Sequence, residues 1–198
     1  MSRPRRERLR GLSFNKMIPN ILTMLALCAG LTSMRFGLDG KWEPALISLV
    51  ISAVLDALDG RIARALRGTS KFGAELDSLS DFICFGVAPA FILYLWTMKD
   101  AGPYGWVLVL LFSVCCALRL ARFNTDIEGP DLPAWTKNYF TGVPAPAGAG
   151  LVLLPMIISF QVDIQFLRQP FVVALFIIVV SGLLVSQLPT YSFKSLRI

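Results

Sequence analysis

The chain has 198 residues, of which 55% are hydrophobic and 16% are charged, and its mean hydropathy is +0.64. This composition excludes an ordinary soluble protein, and the length fits one domain embedded in a membrane. A net charge of +6 is compatible with nucleic-acid binding, but the basic residues lie beside apolar segments. They therefore favour anionic lipid headgroups and a phosphorylated substrate as partners, with no nucleic acid.

The chain begins with a basic segment, residues 1–17, ahead of the first apolar stretch. Its cations are Arg3, Arg5, Arg6, Arg8, Arg10 and Lys16. No small-residue cleavage site follows, and the next apolar stretch is too long for the core of a signal peptide. We therefore expect a short cytoplasmic juxtamembrane arm, amphipathic or without fixed structure, that contacts lipid.

Six apolar segments follow, each long enough for a transmembrane helix. The predicted spans are 18–36, 42–58, 73–98, 104–120, 139–160 and 170–188. Most of the 19 lysines and arginines fall on the side of the arm, and the exceptions are Arg35, Lys41, Lys99 and Arg168. The positive-inside rule then places the N-terminus in the cytoplasm. The predicted fold is an all-α integral membrane domain over residues 18–198, with six transmembrane helices and a short N-terminal amphipathic segment.

Four aspartates interrupt this membrane-like sequence: Asp56, Asp59, Asp77 and Asp81. An aspartate at the centre of a membrane helix costs roughly 2.5 to 3.5 kcal/mol, so the group predicts a bound cation. The first two are three residues apart and the last two are four apart, so each pair lies on one helical face. Because the chain has no histidine, oxygen ligands for Mg²⁺, Mn²⁺ or Ca²⁺ are indicated, and two such ions would balance four carboxylates.

The sequence between the two aspartate pairs is suited to phosphate. A ligand can approach the backbone closely at Gly60, Gly68 and Gly73, which have no side chain. Positive charge comes from Arg61, Arg64, Arg67 and Lys71. The alternative is that these cations only mark the cytoplasmic ends of two membrane helices, which leaves the aspartates unexplained. In the first span, Asn20 and Thr23 either belong to the helix start at Pro19 or face the ligand.

The run from residue 56 to residue 81 resembles the signature of the CDP-alcohol phosphotransferase family of integral membrane enzymes. Its fixed positions are Asp56, Asp59, Gly60, Ala63, Arg64, Gly73, Asp77 and Asp81. The resemblance implies that residues 56–81 form the active-site motif and that a phosphate-containing group passes from a CDP-linked donor to an alcohol, releasing CMP.

Other segments resemble the membrane-embedded bacterial phosphatidylserine synthases. They are Ile18–Thr23, Phe72–Leu79, Asp81–Ala90, Arg119–Asn124 and Phe140–Ala147. This resemblance implies CDP-diacylglycerol as donor, L-serine as acceptor and phosphatidylserine as product. It further implies two divalent cations, Mg²⁺ or Mn²⁺, a homodimer, and a multi-pass protein of the bacterial inner membrane whose active site faces the cytoplasm.

The family resemblance also implies roles for single residues. One metal ion would be held by Asp56, Asp59 and Asp77, and a second by Asp56, Asp77 and Asp81. Asp81 would in addition be the catalytic general base. The expected residues for binding CDP-diacylglycerol are Asn20, Thr23, Gly60, Arg64, Ser70 and Gly73.

The residues predicted to bind the acceptor lie at the end of the fourth span and are Arg119, Arg122 and Asn124. The carboxylate of serine needs a cation, and the two arginines, three apart, can point the same way; they can equally serve as positive-inside anchors. A phosphorylated acceptor, glycerol 3-phosphate or inositol phosphate, would need a further basic cluster, and choline is another alternative. A divalent-cation transporter would place its carboxylates near the membrane midplane in several spans, unlike the aspartates of this chain.

Overall fold

A computed structural model describes residues 14–66, 70–128, 139–162, 165–186 and 189–191. The first 13 residues of the predicted N-terminal arm lie outside this part of the chain, as do Arg67 and Gly68. The first helix begins at Phe14, so the last residues predicted for the arm already belong to a helix.

Helices dominate the described residues. The first four are α1 (Phe14–Leu38), α2 (Trp42–Ala65), α3 (Lys71–Asp81) and α4 (Ala88–Trp96). The next four are α5 (Pro103–Glu128), α6 (Ala145–Val152), α7 (Leu154–Gln161) and α8 (Pro170–Val185). Short 3₁₀ turns cover Met98–Ala101 and Gln165–Arg168. Two three-residue strands, β1 (Tyr139–Thr141) and β2 (Pro189–Tyr191), pair antiparallel with Tyr139 opposite Tyr191.

Within the described ranges, three helices are long and apolar enough to cross a membrane: Met17–Leu38, Lys71–Trp96 and Pro103–Thr125. Helix α8 is apolar but shorter. Helix α2 has 24 residues, about 36 Å at 1.5 Å per residue, but it carries charged side chains at both ends. The structure is therefore that of a helical membrane protein, and the count of six spans stays a prediction.

The predicted fifth span is wrong as a single helix. Its first residues form strand β1, Gly142 follows with a φ of +77°, and α6 starts only after Pro144. Proline lacks the N–H that a helix interior needs but is tolerated in the first turn, so Pro144 and Pro146 start a helix here and do not bend one. A second interruption separates α6 from α7, whose first turn contains Pro155.

The third span is one continuous helix with a wider turn in its middle. Between α3 and α4, the residues Phe82–Val87 form a π-helical turn. Pro89 in the first turn of α4 offers no N–H and would clash with the carbonyl group four residues earlier in a regular α-helix. The wider turn accommodates that proline, and it follows Asp81 directly.

The core surrounds this third span. The fully buried residues of the core include Cys84, Ala88 and Ile92 from the third span and Phe112 and Cys116 from α5. Helix α1 packs along α2 and also against α3 and α4, whereas α5 packs along α8. At one end of the molecule, Thr97 Oγ1 donates a hydrogen bond of 2.7 Å to the carbonyl oxygen of Arg168. The aspartates lie toward the opposite end of these helices.

Candidate functional site: an aspartate cluster beside a polar cleft

Three of the four aspartates converge as the spacing predicts. Asp56 and Asp59 lie in the second half of α2, and Asp77 lies in the second turn of α3. One carboxylate oxygen from each lies within 4.8 Å of the other two. Oxygen atoms at these separations can share a hard divalent cation, so the cluster fits the metal site that the sequence predicts.

Asp59 is held by a neighbour on a different helix. Its side chain is 3% exposed, and Thr23 Oγ1 donates a hydrogen bond of 2.6 Å to its Oδ2. The same hydroxyl oxygen lies 3.1 Å from the carbonyl oxygen of Pro19. A hydroxyl has one proton, and a carboxylate is the stronger acceptor, so Thr23 orients Asp59. A ligand carboxylate fixed in this way loses less entropy when it binds a metal.

Asp81 stands beside the cluster, one helical turn after Asp77. Its side chain contacts that of Asp56. Its Oδ1 atom is buried and has no hydrogen-bond partner among the described residues. An unsatisfied buried carboxylate oxygen is costly, and a metal ion or a substrate hydroxyl group would satisfy it.

A cleft of about 200 Å³ opens next to the cluster. Its lining comprises Pro19, Asn20, Thr23, Asp59, Gly60, Ala63, Arg64, Ser70, Gly73, Ala74 and Asp77. All six residues predicted to bind the CDP-linked donor are in this lining, together with two of the aspartates. Residues far apart in sequence thus meet in one cleft whose lining includes two carboxylates and a guanidinium.

The start of α3 shapes one wall of this cleft. Ser70 caps the helix, because its Oγ accepts a hydrogen bond of 3.0 Å from the backbone N–H of Gly73. A Cβ atom at Gly73 would lie 2.8 Å from Asn20 Oδ1 and 3.1 Å from Ser70 Oγ. A larger residue here would displace the Asn20 amide, so glycine keeps α1 and α3 close at this point. The positive end of a helix dipole therefore faces the cleft, where it favours an anion such as phosphate.

Two of the residues predicted to bind the acceptor have partners within the protein. Asn124 Nδ2 donates a hydrogen bond of 3.0 Å to Ser78 Oγ, which joins α5 to α3 between Asp77 and Asp81. Arg122 Nη1 donates one of 3.1 Å to the carbonyl oxygen of Val185, which joins α5 to the end of α8. Sequence reasoning missed Ser78, although its place between two signature aspartates was a usable signal.

Arg119 differs from both. It is half-buried and interacts electrostatically with Asp81. Its Nε atom is buried without a hydrogen-bond partner among the described residues. A buried guanidinium N–H without a partner is available to an anionic group of a substrate.

Two apolar grooves lie outside the polar cleft. One, of about 470 Å³, lies between the third span and α5 and includes Phe82 and Phe91. The other, of about 420 Å³, lies between α2, the third span and α6 and includes Leu49 and Phe85. Both grooves begin close to the aspartates along the chain, so long apolar groups attached to a bound phosphate have a surface on either side.

Comparison with known proteins finds several named relatives. The chain is 43% identical over 188 residues to the CDP-diacylglycerol–serine O-phosphatidyltransferase of Mycobacterium leprae, covering 95% of this chain and 61% of that protein. It is 46% identical over 145 residues to the protein of the same name from Mycobacterium tuberculosis H37Rv, covering 71% and 50%. The protein of that name from Helicobacter pylori 26695 is 34% identical over 181 residues, covering 91% and 74%.

The chain thus spans about half to three-fifths of the length of these mycobacterial relatives. The sequence model of the CDP-alcohol phosphatidyltransferase family matches residues 16–185. That range contains the aspartate cluster, the cleft and Arg119. The aspartate signature, the site geometry and this match agree that the chain belongs to the CDP-alcohol phosphatidyltransferase family.

Proposed function

We propose that the protein is a CDP-diacylglycerol–serine O-phosphatidyltransferase, which transfers the phosphatidyl group of CDP-diacylglycerol to the hydroxyl group of L-serine. The observation that carries the proposal is the cleft, where all six predicted donor-binding residues meet Asp59 and Asp77. Three relatives with this activity in their names, 34 to 46% identical, support the choice of donor and acceptor.

The cleft would hold the CDP part of the donor. Arg64 and the start of α3 at Ser70 offer positive charge and N–H groups to the phosphates. Gly60 and Gly73 leave space for the ligand to approach the backbone. Asn20 offers an amide to the nucleotide, and Thr23 contributes mainly by orienting Asp59. The diacylglycerol tails would then follow the apolar grooves beside the aspartates into the bilayer.

The four aspartates would hold two divalent cations, Mg²⁺ or Mn²⁺, with Asp56, Asp59 and Asp77 at one and Asp56, Asp77 and Asp81 at the other. When bound, these ions neutralise the pyrophosphate oxygens and act as Lewis acids in phosphoryl transfer. The protein's own contribution is position: α2 and α3 present the carboxylates, and Thr23 keeps Asp59 in place.

Asp81 would accept the proton of the serine hydroxyl group. The serine oxygen forms a bond to the phosphorus that carries diacylglycerol, and the bond from that phosphorus to the CMP oxygen breaks. CMP leaves with the bonding electron pair. Because bound divalent cations would make this carboxylate a weak base, we expect proton transfer to occur together with attack and not before it. Arg119 would hold the serine carboxylate, whereas Arg122 and Asn124 would support the site from α5 through their bonds to α8 and α3.

Other acceptors fit this site less well. Near Asp81, α5 offers Arg119, and the guanidinium of Arg122 is bonded to the end of α8. A phosphorylated acceptor would need more positive charge near Asp81 than these residues provide. Choline has no carboxylate and would place its quaternary ammonium beside Arg119.

We further propose that the chain lies in a bacterial inner membrane with six spans, its N-terminal arm and the cleft facing the cytoplasm. The distribution of lysine and arginine supports this orientation. We also propose a homodimer, as family membership implies. Labelling of single cysteines placed at Arg61 and Arg168 in intact cells tests the orientation, since the two should show opposite accessibility to a membrane-impermeant reagent.

The activity is tested by CMP release from CDP-diacylglycerol by the purified protein with Mg²⁺ or Mn²⁺. L-serine, glycerol 3-phosphate, inositol phosphate and choline are supplied one at a time. CMP release with L-serine alone, accompanied by phosphatidylserine, is the expected result. Release with another alcohol would keep the aspartate site and overturn the acceptor. No release with any of them would overturn the proposed activity.

A further inference from the structure

Three buried side-chain polar atoms lack a hydrogen-bond partner in the described part of the chain: Asp81 Oδ1, Arg119 Nε and Ser181 Oγ. The first two belong to the site described above. Ser181 belongs to α8, carries no motif and is 2% exposed. A buried hydroxyl group without a partner is unusual, so its place relative to the other two atoms matters.

The third span contacts α5 on both sides of the level at which Asp81 and Arg119 lie. Deeper in the membrane, a Cβ atom at Gly86 would lie 3.1 Å from Cys116 Sγ. Nearer the helix ends, Ser78 and Asn124 are hydrogen-bonded. Between these two contacts the antiparallel helices bring Asp81 and Arg119 to the same level, in agreement with their electrostatic interaction.

The packing of α5 against α8 brings Ser181 to that level as well. The two helices start together, where Thr97 before α5 bonds to Arg168 before α8. They also end together, where Arg122 bonds to the carbonyl group of Val185. They therefore run parallel. Arg119 precedes Arg122 by one turn, and Ser181 precedes Val185 by one turn, so Arg119 and Ser181 lie at the same level along the two helices.

We propose that Ser181 completes the acceptor site, with its hydroxyl group and Arg119 Nε donating to the carboxylate of the amino-acid substrate while the substrate's own hydroxyl group faces Asp81. Two unpartnered donors and one unpartnered acceptor match two of the three polar groups of L-serine, its carboxylate and its hydroxyl group. This inference rests on the proposed function and adds to it a residue from α8 that selects the acceptor.

The test compares Ser181→Ala with wild type by CMP release, using L-serine and L-serinamide, in which a neutral amide replaces the carboxylate. A hydrogen bond to a charged group predicts a rise in the KM for L-serine of about tenfold or more in Ser181→Ala. The preference for L-serine over L-serinamide should fall by a similar factor, and the KM for CDP-diacylglycerol should stay unchanged. Ser181→Thr, which keeps the hydroxyl group, should restore most of the affinity for L-serine.

The matched control is Ser159→Ala, whose hydroxyl group donates only to the carbonyl oxygen of Met156 in its own helix; it should behave as wild type. A wild-type KM for L-serine in Ser181→Ala overturns the inference and leaves the proposed function standing. The inference is also overturned if Ser181→Ala and Ser181→Thr both lose activity equally with L-serine and L-serinamide and both have a lower Tm. That pattern would mark a packing role for Ser181. A wild-type protein that releases no CMP with L-serine overturns the proposed function itself, before any variant is made.

Discussion

Thr23 on the first helix donates a hydrogen bond of 2.6 Å to Asp59 on the second, across 36 positions of sequence. Both side chains are largely buried, at 4% and 3% exposure, where they line the inner part of the cleft. This contact connects the geometry of the aspartate cluster to the packing of α1 on α2. It places Thr23 among the residues on which metal binding should depend.

Replacing Thr23 by valine keeps the shape of the side chain and removes the donor. We expect the concentration of Mg²⁺ or Mn²⁺ needed for half-maximal CMP release to rise about 10- to 100-fold, as for other residues that hold a metal ligand in place. Thr23→Ser should remain close to wild type. Thr32→Val is the control, because that hydroxyl group donates to the carbonyl oxygen of Cys28 in its own helix. An unchanged metal dependence in Thr23→Val would contradict the role assigned to this contact.

Asp81→Asn keeps the size of the side chain and removes its ability to accept a proton. We expect turnover to fall by about 10³-fold, while binding of CDP-diacylglycerol, measured by equilibrium binding, remains detectable. Asp100→Asn, in an exposed turn at the other end of the molecule, is the matched control and should retain full activity. Near-normal turnover in Asp81→Asn would remove this residue as the general base.

Gly73→Ala tests the close approach of α1 and α3. The added Cβ would meet Asn20 Oδ1 at 2.8 Å, so the amide of Asn20 must move and the cleft must change shape. We expect kcat/KM for CDP-diacylglycerol to fall about tenfold or more. Gly182→Ala, on a helix where the new Cβ would meet nothing within 4 Å, should be neutral. Equal behaviour of the two variants would show that the cleft tolerates a wider separation.

Arg119 and Arg122 should respond differently to substitution although they are one turn apart. Arg119→Lys keeps a positive charge but loses Nε, so we expect the KM for L-serine to rise by about tenfold or more with little change in the KM for the donor. Arg122→Gln should instead lower Tm, because it loses the bond to Val185, and should leave the KM for L-serine near wild type. A large effect of Arg122→Gln on that KM alone would assign the acceptor to Arg122.

Local features of this protein could be predicted from its sequence. The spacing of Asp56 from Asp59 and of Asp77 from Asp81 fixes which side chains share a helical face, because helix geometry depends on neighbours. The family resemblance predicts Arg64, Ser70 and Gly73 as donor-binding residues, and all three line the cleft. The prediction of apolar helices held for the three segments that are long enough to cross a membrane.

Features that depend on distant parts of the chain could not be predicted. The bond between Asn124 and Ser78 joins residues 46 positions apart, and no local pattern indicates it. Strand β1 pairs with Pro189–Tyr191, a distant segment, whereas the local apolar character of its residues favours the start of a helix. Ser181 resembles any small residue of a membrane helix until its neighbours on α5 are known.

The π-helical turn at Phe82–Val87 also sets the rotation of one half of the third span relative to the other. Each residue of a helix turns the chain by about 100°, so losing one residue in this turn would rotate Ile92 and Leu93 by that angle relative to Asp77 and Asp81. Either the buried residues would leave the core or the aspartates would leave the cluster. A single-residue deletion there should therefore inactivate the protein with every aspartate still present, whereas substitutions that keep the length should be far milder.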